Sequence, residues 1–309
     1  MARVLFIAPA DLGETVLATG ALAHVLRDGD ELTVLAEPAA NALFRSAPAA
    51  RVAMPERGAP GWSLAALIAG KRFDTVLDAR GDLTGKLAPG ARKVRLDLAP
   101  ILRHRVEDWS AALGADRALA PVLWVDDQAR REAALVSGGA TQLLVIAPGG
   151  SVAGKRWPQE RFAAVARRLA TGPMQGAVVL VLGAGARDAE LSRDIVSSLD
   201  ADGVEARNAG ALDLLAAAAL VERATLVIGN DNVLTHIAAA KGAPVLTLFG
   251  PTDERVRAPH GPRARTLRGR ALEELAGPGV LGDGLAMDDV SIDAVEAAAL
   301  DLLHAGGLR

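Results

Sequence analysis

A chain of 309 residues, half of them apolar and 23% charged, is long enough for two domains of roughly 150 residues and too apolar to be disordered. A formal charge of −3 gives no overall basic field for nucleic acid, and the absence of cysteine removes disulfides, thiolate catalysis and Cys-ligated zinc together. Asp11 and Glu14 interrupt the first apolar run before a secretory core would be complete, and no uninterrupted apolar stretch reaches the ~18 to 20 residues that span a bilayer. The expectation is a cytoplasmic protein without a nucleic-acid partner or a transmembrane segment, meeting a membrane only at its surface.

Arg3 to Pro9 reads as a strand, followed by a Gly-containing turn and a helical pattern from Thr15 to Leu26. Glu31 to Ala36, Phe73 to Asp78 and Lys93 to Leu98 read as further strands, with a short helix over Ala39 to Ser46. The polar stretch Asp126 to Glu132 and the Gly-rich Ser137 to Ala140 read as a linker, so the domains are expected at 1–140 and 141–309. The second half predicts strands at Leu143 to Ala147, Ala177 to Leu182, Val204 to Asn208, Thr225 to Ile228 and Pro244 to Phe249. Helices are expected over Gln159 to Ala170, Asp188 to Leu199, Leu212 to Glu222, Val233 to Lys241 and, capped by Ser291, Ile292 to Leu303. Continuous apolar strands alternating with helices indicate two α/β domains with parallel sheets.

Three loops in the second half carry the chemistry. Gly149 to Lys155 satisfies the first seven positions of a phosphate-binding P-loop, but Arg156 stands where a magnesium-holding hydroxyl belongs. That argues against an NTPase and leaves either an anion site, with cations at Lys155 and Arg156, or a solvated loop. Gly183 to Asp188 resembles a dinucleotide turn without its third glycine; with Leu212 it would line a nucleotide pocket, or it is a plain tight turn. In GNDNVLTHIAAAKGAPVLTLFGPTDE, Asp231 and His236 would share one edge of a cleft, with the helix amides after Asn232 facing a ligand. Gly250, Pro251 and Thr252 would then grip a phosphate oxygen through the Thr252 amide and hydroxyl.

Taken together, these segments resemble the ADP-heptose:lipopolysaccharide heptosyltransferases of glycosyltransferase family 9. The resemblance runs through RVLFIAPADLGETVLATGAL, FDTVLDARGDLTGKL, GSVAGKRWPQERFAAVARRL, the GND to FGPT stretch and MDDVSIDAVEAAALDLL, in that order. It implies a GT-B fold of two Rossmann-like domains with parallel sheets facing a central cleft, the acceptor bound by the first and the nucleotide sugar by the second. The last helix would be free to pack back on the first domain. Family roles place Gly150, Ser151 and Lys155 beside the diphosphate, Gly250, Pro251 and Thr252 on its other side, and Asp231 and His236 near the donor sugar and pyrophosphate. A carboxylate of the first loop would be the base. Here Gly13 is followed by Glu14 where the family usually has Asp, and Asp231-Asn232-Val233 stands where many members have Asp-Ser-Gly or Asp-Thr-Gly.

Glu14 is therefore the first candidate base and Asp11 the substitute, either being equally able to cap the following helix. The resemblance implies inverting transfer of heptose from an ADP-sugar donor to a glycolipid acceptor at the inner membrane surface, without cofactor. The cations and amides of the second domain suffice to meet the leaving diphosphate without a metal. Arg80 and Lys86, in a locally basic stretch with Arg92, Lys93, Arg95, Arg103 and Arg105, would serve the acceptor unless they form a solvated face. Pro100 to Trp109 is read as a lipid head-group contact. Another nucleotide-sugar donor and a non-catalytic nucleotide-sugar-binding protein are the competing functions.

Overall fold

The computed structural model describes residues 1–48, 50–53, 63–81, 85–86, 88–96, 102–183, 186–275 and 287–306. It divides into two compact units, Met1–Trp124 and Val125–Arg309.

The first unit is a parallel sheet of β1 (Arg3–Ile7), β2 (Glu31–Leu35), β3 (Ala50–Ala53), β4 (Phe73–Asp78) and β5 (Gly90–Arg95), in the order β3-β2-β1-β4-β5. Its helices are α1 (Leu12–Val25), α2 (Asn41–Phe44), α3 (Ser63–Ile68) and α4 (Arg105–Leu113). Helix α1 starts where the Asp11 side chain accepts the Glu14 amide, and it is buried without interruption from Thr15 to Leu22, as an apolar-all-round helix must be. At Gly20 a Cβ would fall 2.1 Å from Leu119 O, so only glycine admits the 119–122 segment that crosses there. The Val122 amide then donates to Thr19 Oγ1 at 3.0 Å.

The second unit is a six-stranded parallel sheet: β6 (Leu143–Ala147), β7 (Val178–Val181), β8 (Ala206–Asn208), β9 (Leu226–Asn230), β10 (Val245–Phe249) and β11 (Ala264–Arg268), ordered β11-β10-β9-β6-β7-β8. Its helices are α5 (Asp127–Ser137), α6 (Gln159–Thr171), α7 (Ala186–Ala201), α8 (Leu214–Val221), α9 (Val233–Ala240), α10 (Glu254–Arg257) and α11 (Ile292–Ala305). Strands β6, β9 and β10 are buried at every position, which is why they read as unbroken apolar runs. Leu144, Ile146, Val179, Val181, Leu226, Ile228, Leu246 and Leu248 project to one face and pack with Trp157, Phe162, Val295 and Leu302. The Trp157 and Phe162 rings meet edge to face at 4.9 Å. Helix α11, capped by Ser291, closes this unit's own core beside α6, β9 and β10.

Several elements depart from the sequence reading. Asp127–Ser137, read within the linker, is a helix capped by Asp126 and packed on α8, so the division between units precedes it. Strands β3 and β11, both at sheet edges, escape the pattern because one is four residues long and the other, ARTLR, alternates charge with apolar residues. The fourth strand spans Gly90–Arg95, and Asp97 and Leu98 of its predicted end lie outside the described residues. The segment read as a lipid contact is α4 from Arg105 onward, and its Trp109 is buried in the protein; Leu102 stays exposed, and Pro100 and Ile101 lie outside the described residues. Between Gly81 and Lys86, Asp82, Leu83 and Thr84 are likewise outside them, as are Ala184 and Gly185 of the second Gly-rich turn.

Candidate functional site

In the second sheet the chain runs outward from the centre in both directions, β6-β7-β8 one way and β9-β10-β11 the other. Loops at the carboxyl ends of β6 and β9 therefore part from each other, leaving the crevice in which open α/β sheets take ligands. Lys155 lies on the β6 loop and Asp231 on the β9 loop, and they meet there, with Lys155 Nζ donating to Asp231 Oδ2 at 2.7 Å. Asp231 is 6% exposed and Lys155 17%, so this is a desolvated ion pair. Burial pushes the Asp231 carboxyl up, but the His236 side chain and the Lys155 ammonium outweigh it and hold the group well below the usual carboxylate range. His236 Nε2 stands 3.7 Å from Oδ1, beyond hydrogen-bond length, which leaves Lys155 as the close partner. The other ring nitrogen, Nδ1, is buried and unbonded among the described residues.

Two asparagines fix these loops. Asn230 accepts the Trp157 amide at 3.1 Å and donates to Pro148 O at 2.7 Å, locking the β6 loop to β9. Asn232 caps α9 by accepting from Leu234 and Thr235, and donates its amide to Ala147 O (3.0 Å) and Gly149 O (2.9 Å). The helix amides expected to face a ligand are thus partly taken by the cap. Arg156 is also not a free cation, since Nε and one terminal nitrogen both donate to Gly150 O, at 2.9 and 2.7 Å. Gly150 and Arg156 brace the loop, while Ser151 is exposed on it. A serine at position 232 keeps the cap acceptor but loses both donors to β6, so Asn232→Ser is expected to cost about 1–2 kcal/mol, read as a lowered Tm in thermal unfolding.

The Gly250-Pro251-Thr252 turn follows β10, the strand beside β9. Arg268, at the end of β11, reaches under it and donates to the carbonyls of Gly250 and Thr252, with Nε on Glu254 Oε1 at 3.2 Å. Burial raises the Glu254 carboxyl, but the Arg268 hydrogen bond reverses this and leaves it lowered. The Thr252 hydroxyl is buried and unbonded among the described residues, a state worth about 1–3 kcal/mol of penalty unless something else satisfies it. Beyond β6, a Cβ on Gly149 would fall 2.2 Å from Asp188 Oδ2, and one on Gly183 2.9 Å from Asp188 Cβ. Asp188 therefore presses against the P-loop-like segment with Gly183 packed behind it, while Leu212 sits half buried after β8, farther along the edge. Arg268 carries no sequence motif, which is why the pattern passes over it.

The first unit offers its own switch point between β1 and β4. Asp11 spends one carboxylate oxygen on the α1 cap, the alternative role foreseen for it. Glu14, one turn into α1, lies 3.4 Å from Arg105 Nε, with both side chains less than a fifth exposed. Much of the basic stretch is neutralised internally: Arg80 pairs with Glu37 at 2.8 Å, Arg95 with the buried Asp78 at 2.9 Å, and Arg103 and Arg105 with Asp108. Lys86 is exposed. Arg80, 16% exposed, is thus held in an internal ion pair rather than on a solvated face, and the Arg105 partner of Glu14, 91 residues away, leaves no local signal.

Two Rossmann-like parallel sheets, the second with the Lys155–Asp231 pair at its switch point, define the GT-B class of glycosyltransferase fold. The solved E. coli ADP-heptose lipopolysaccharide heptosyltransferase II matches over 98% of this chain and 99% of its own, with a TM-score of 0.77 at 20% identity. E. coli heptosyltransferase WaaC with ADP-2-deoxy-2-fluoro heptose matches over 97% and 99%, with a TM-score of 0.70 at 18% identity. In sequence, lipopolysaccharide heptosyltransferase 2 of Salmonella typhimurium is 28% identical over 202 residues, 61% of this chain and 57% of that protein. The chain thus aligns with little more than half the length of that relative. Residues 91–276 match glycosyltransferase family 9 (heptosyltransferase), and the chain belongs to that family.

Proposed function

We propose that the protein transfers a heptose from ADP-heptose to a lipopolysaccharide inner-core acceptor, with inversion and without a metal ion. The second unit would hold the donor and the first the acceptor. The carrying observation is the Lys155 ammonium, held by the buried Asp231 at the switch point of the second sheet. Lysine has three donors, so one stays on Asp231 while the others turn to the diphosphate. The unsatisfied Thr252 hydroxyl and the amides of the Gly149–Ser151 loop complete the set.

In this reading an acceptor hydroxyl oxygen attacks the anomeric carbon from the side opposite ADP. The new C–O bond forms as the bond to the phosphate oxygen breaks, and the hydroxyl proton passes to Glu14. The negative charge that grows on departing ADP is met by Lys155 and the Thr252 hydroxyl. Asp231 orients Lys155 and does not touch phosphate, since two anions in contact would repel. Support for the donor comes from the family and from the ADP-sugar bound to the WaaC neighbour. Among the described residues no helix is long and apolar enough to cross a membrane, and we place the protein in the cytoplasm, peripheral at the inner membrane.

The test is titration calorimetry with ADP-heptose and UDP-sugars, followed by turnover on a deacylated inner-core acceptor. ADP is expected to raise Tm more than UDP, because a ligand that binds only the folded state stabilises by mass action. Transfer should continue unchanged in EDTA. Loss of activity on chelation, restored by magnesium, would overturn the metal-free mechanism, and binding without turnover would leave a nucleotide-sugar-binding protein.

A further inference from the structure

We infer a second anion site, at the amino-terminal edge of the first sheet, which takes a ligand carrying two or more phosphate groups. A cavity of about 620 Å³ opens there, lined by Arg3, Glu31, Thr33, Arg51, Lys71 and Arg72 among others. Its volume falls within the roughly 300–1,000 Å³ of small-molecule sites.

The strand register builds the charge. Arg3 lies opposite Glu31, and Arg51 opposite Thr33, with Glu31 and Thr33 two apart on β2. All four residues therefore project from one face of the sheet. Farther along that face Leu5 and Leu35 are covered by Ile68 of α3, but α3 ends there and the chain turns at Gly70, φ 74°, leaving the amino ends of the strands open under Lys71 and Arg72. Among the described residues, the site exists because α3 ends at Ile68 and covers only the carboxyl part of the face.

Four cations and one carboxylate line this cavity in a chain whose formal charge is −3. Among the described residues none of the four cations has an ion-pair partner; the nearby Asp74 carboxylate accepts the Arg3 main-chain amide at 2.7 Å. This contrasts with Arg80, Arg95 and Arg105, which pair with carboxylates. Three of the four are arginines, whose planar forks match phosphate oxygens two at a time. From β3 to β4 the lining spans three strand spacings, about 14 Å, which exceeds a single phosphate and suits an oligophosphate or a bis-phosphorylated saccharide. The site lies across the sheet from the carboxyl edge that carries Glu14 and rests on no part of the donor reading.

The experiment is amine labelling of the full-length protein, read by mass spectrometry at Lys71 with Lys93 as the exposed control. Tripolyphosphate at physiological ionic strength should slow labelling of Lys71 at least about fivefold without slowing Lys93, and Arg51→Ser/Arg72→Ser should abolish that protection while leaving Tm unchanged. A second arm uses phosphatidylcholine vesicles with one fifth cardiolipin, whose head group carries two phosphates. Protection by tripolyphosphate alone identifies a soluble phosphate ligand, and protection by the vesicles as well identifies a phosphate head group; both support the site. No protection in either arm, or protection that survives the double substitution, means the cations only complement the end of α3 and overturns the inference.

Discussion

Lys155→Met lowers transfer about 100- to 1,000-fold and destabilises the protein by about 3 kcal/mol, the two effects arising from the same ammonium. The kinetic loss is what removal of one preorganised donor to a developing oxyanion costs. The stability loss follows from breaking a buried pair, because methionine fills the volume of the lysine stem but leaves the Asp231 carboxylate, 6% exposed, without its 2.7 Å partner. The sign of the pH dependence is fixed by Asp231, whose carboxyl is depressed in the folded state. Its stabilisation is present above the unfolded value of about 3.9 and is lost as pH falls through the lower folded value. The gap in stability between wild type and Lys155→Met should therefore be largest near neutrality and narrow below about pH 4, measured by urea unfolding across pH. A gap that stays constant with pH would mean Lys155 stabilises by packing alone. Retention of wild-type kcat would remove Lys155 from the reaction.

Glu14→Gln is expected to lower kcat by about 100-fold or more while leaving donor affinity unchanged, because the amide keeps the shape of the side chain and loses the base. The carboxamide oxygen of that variant still accepts from Arg105, so the cost in stability is about 1 kcal/mol or less. Asp11→Ala gives the converse pattern: loss of the α1 cap costs about 1 kcal/mol, and turnover stays close to wild type. Calorimetry, initial rates and thermal unfolding on the two variants separate a base from a cap. Equal kcat in Glu14→Gln and wild type would end the assignment of Glu14, and a larger loss in Asp11→Ala would transfer it to Asp11.

The extra methylene of Glu14, relative to the aspartate usual in the family, has a structural counterpart in Arg105. A guanidinium 3.4 Å from Glu14 Oε1 ties down the longer side chain, and Arg105 is itself fixed by Asp108, one turn along its own helix. Asn232 is a second such case. It stands where the resemblance to the family puts serine or threonine, yet it performs the helix cap and adds two donors to the carbonyls that end β6. Both departures keep the local architecture intact.

Buried strands and the helices over them were legible in the amino-acid sequence because their signals are local: unbroken apolar runs in β6, β9 and β10, a capping residue at Ser291, and apolar periodicity in α6. The positions of Lys155, Asp231 and Thr252 were legible as motif residues for the same reason. Tertiary structure decided which of the charges around them remain available. Arg156 looked as available as Lys155 but is spent on Gly150 O, and Arg80 on Glu37, while Arg268 emerged only when β11 paired beside β10. A side chain's composition and neighbours in the chain set what it can bond to, but whether that capacity is consumed depends on partners brought from 6 to 91 residues away by loop closure, strand order and register. Those pairings are fixed by how the sheet and its loops pack, which no local pattern of residue types encodes.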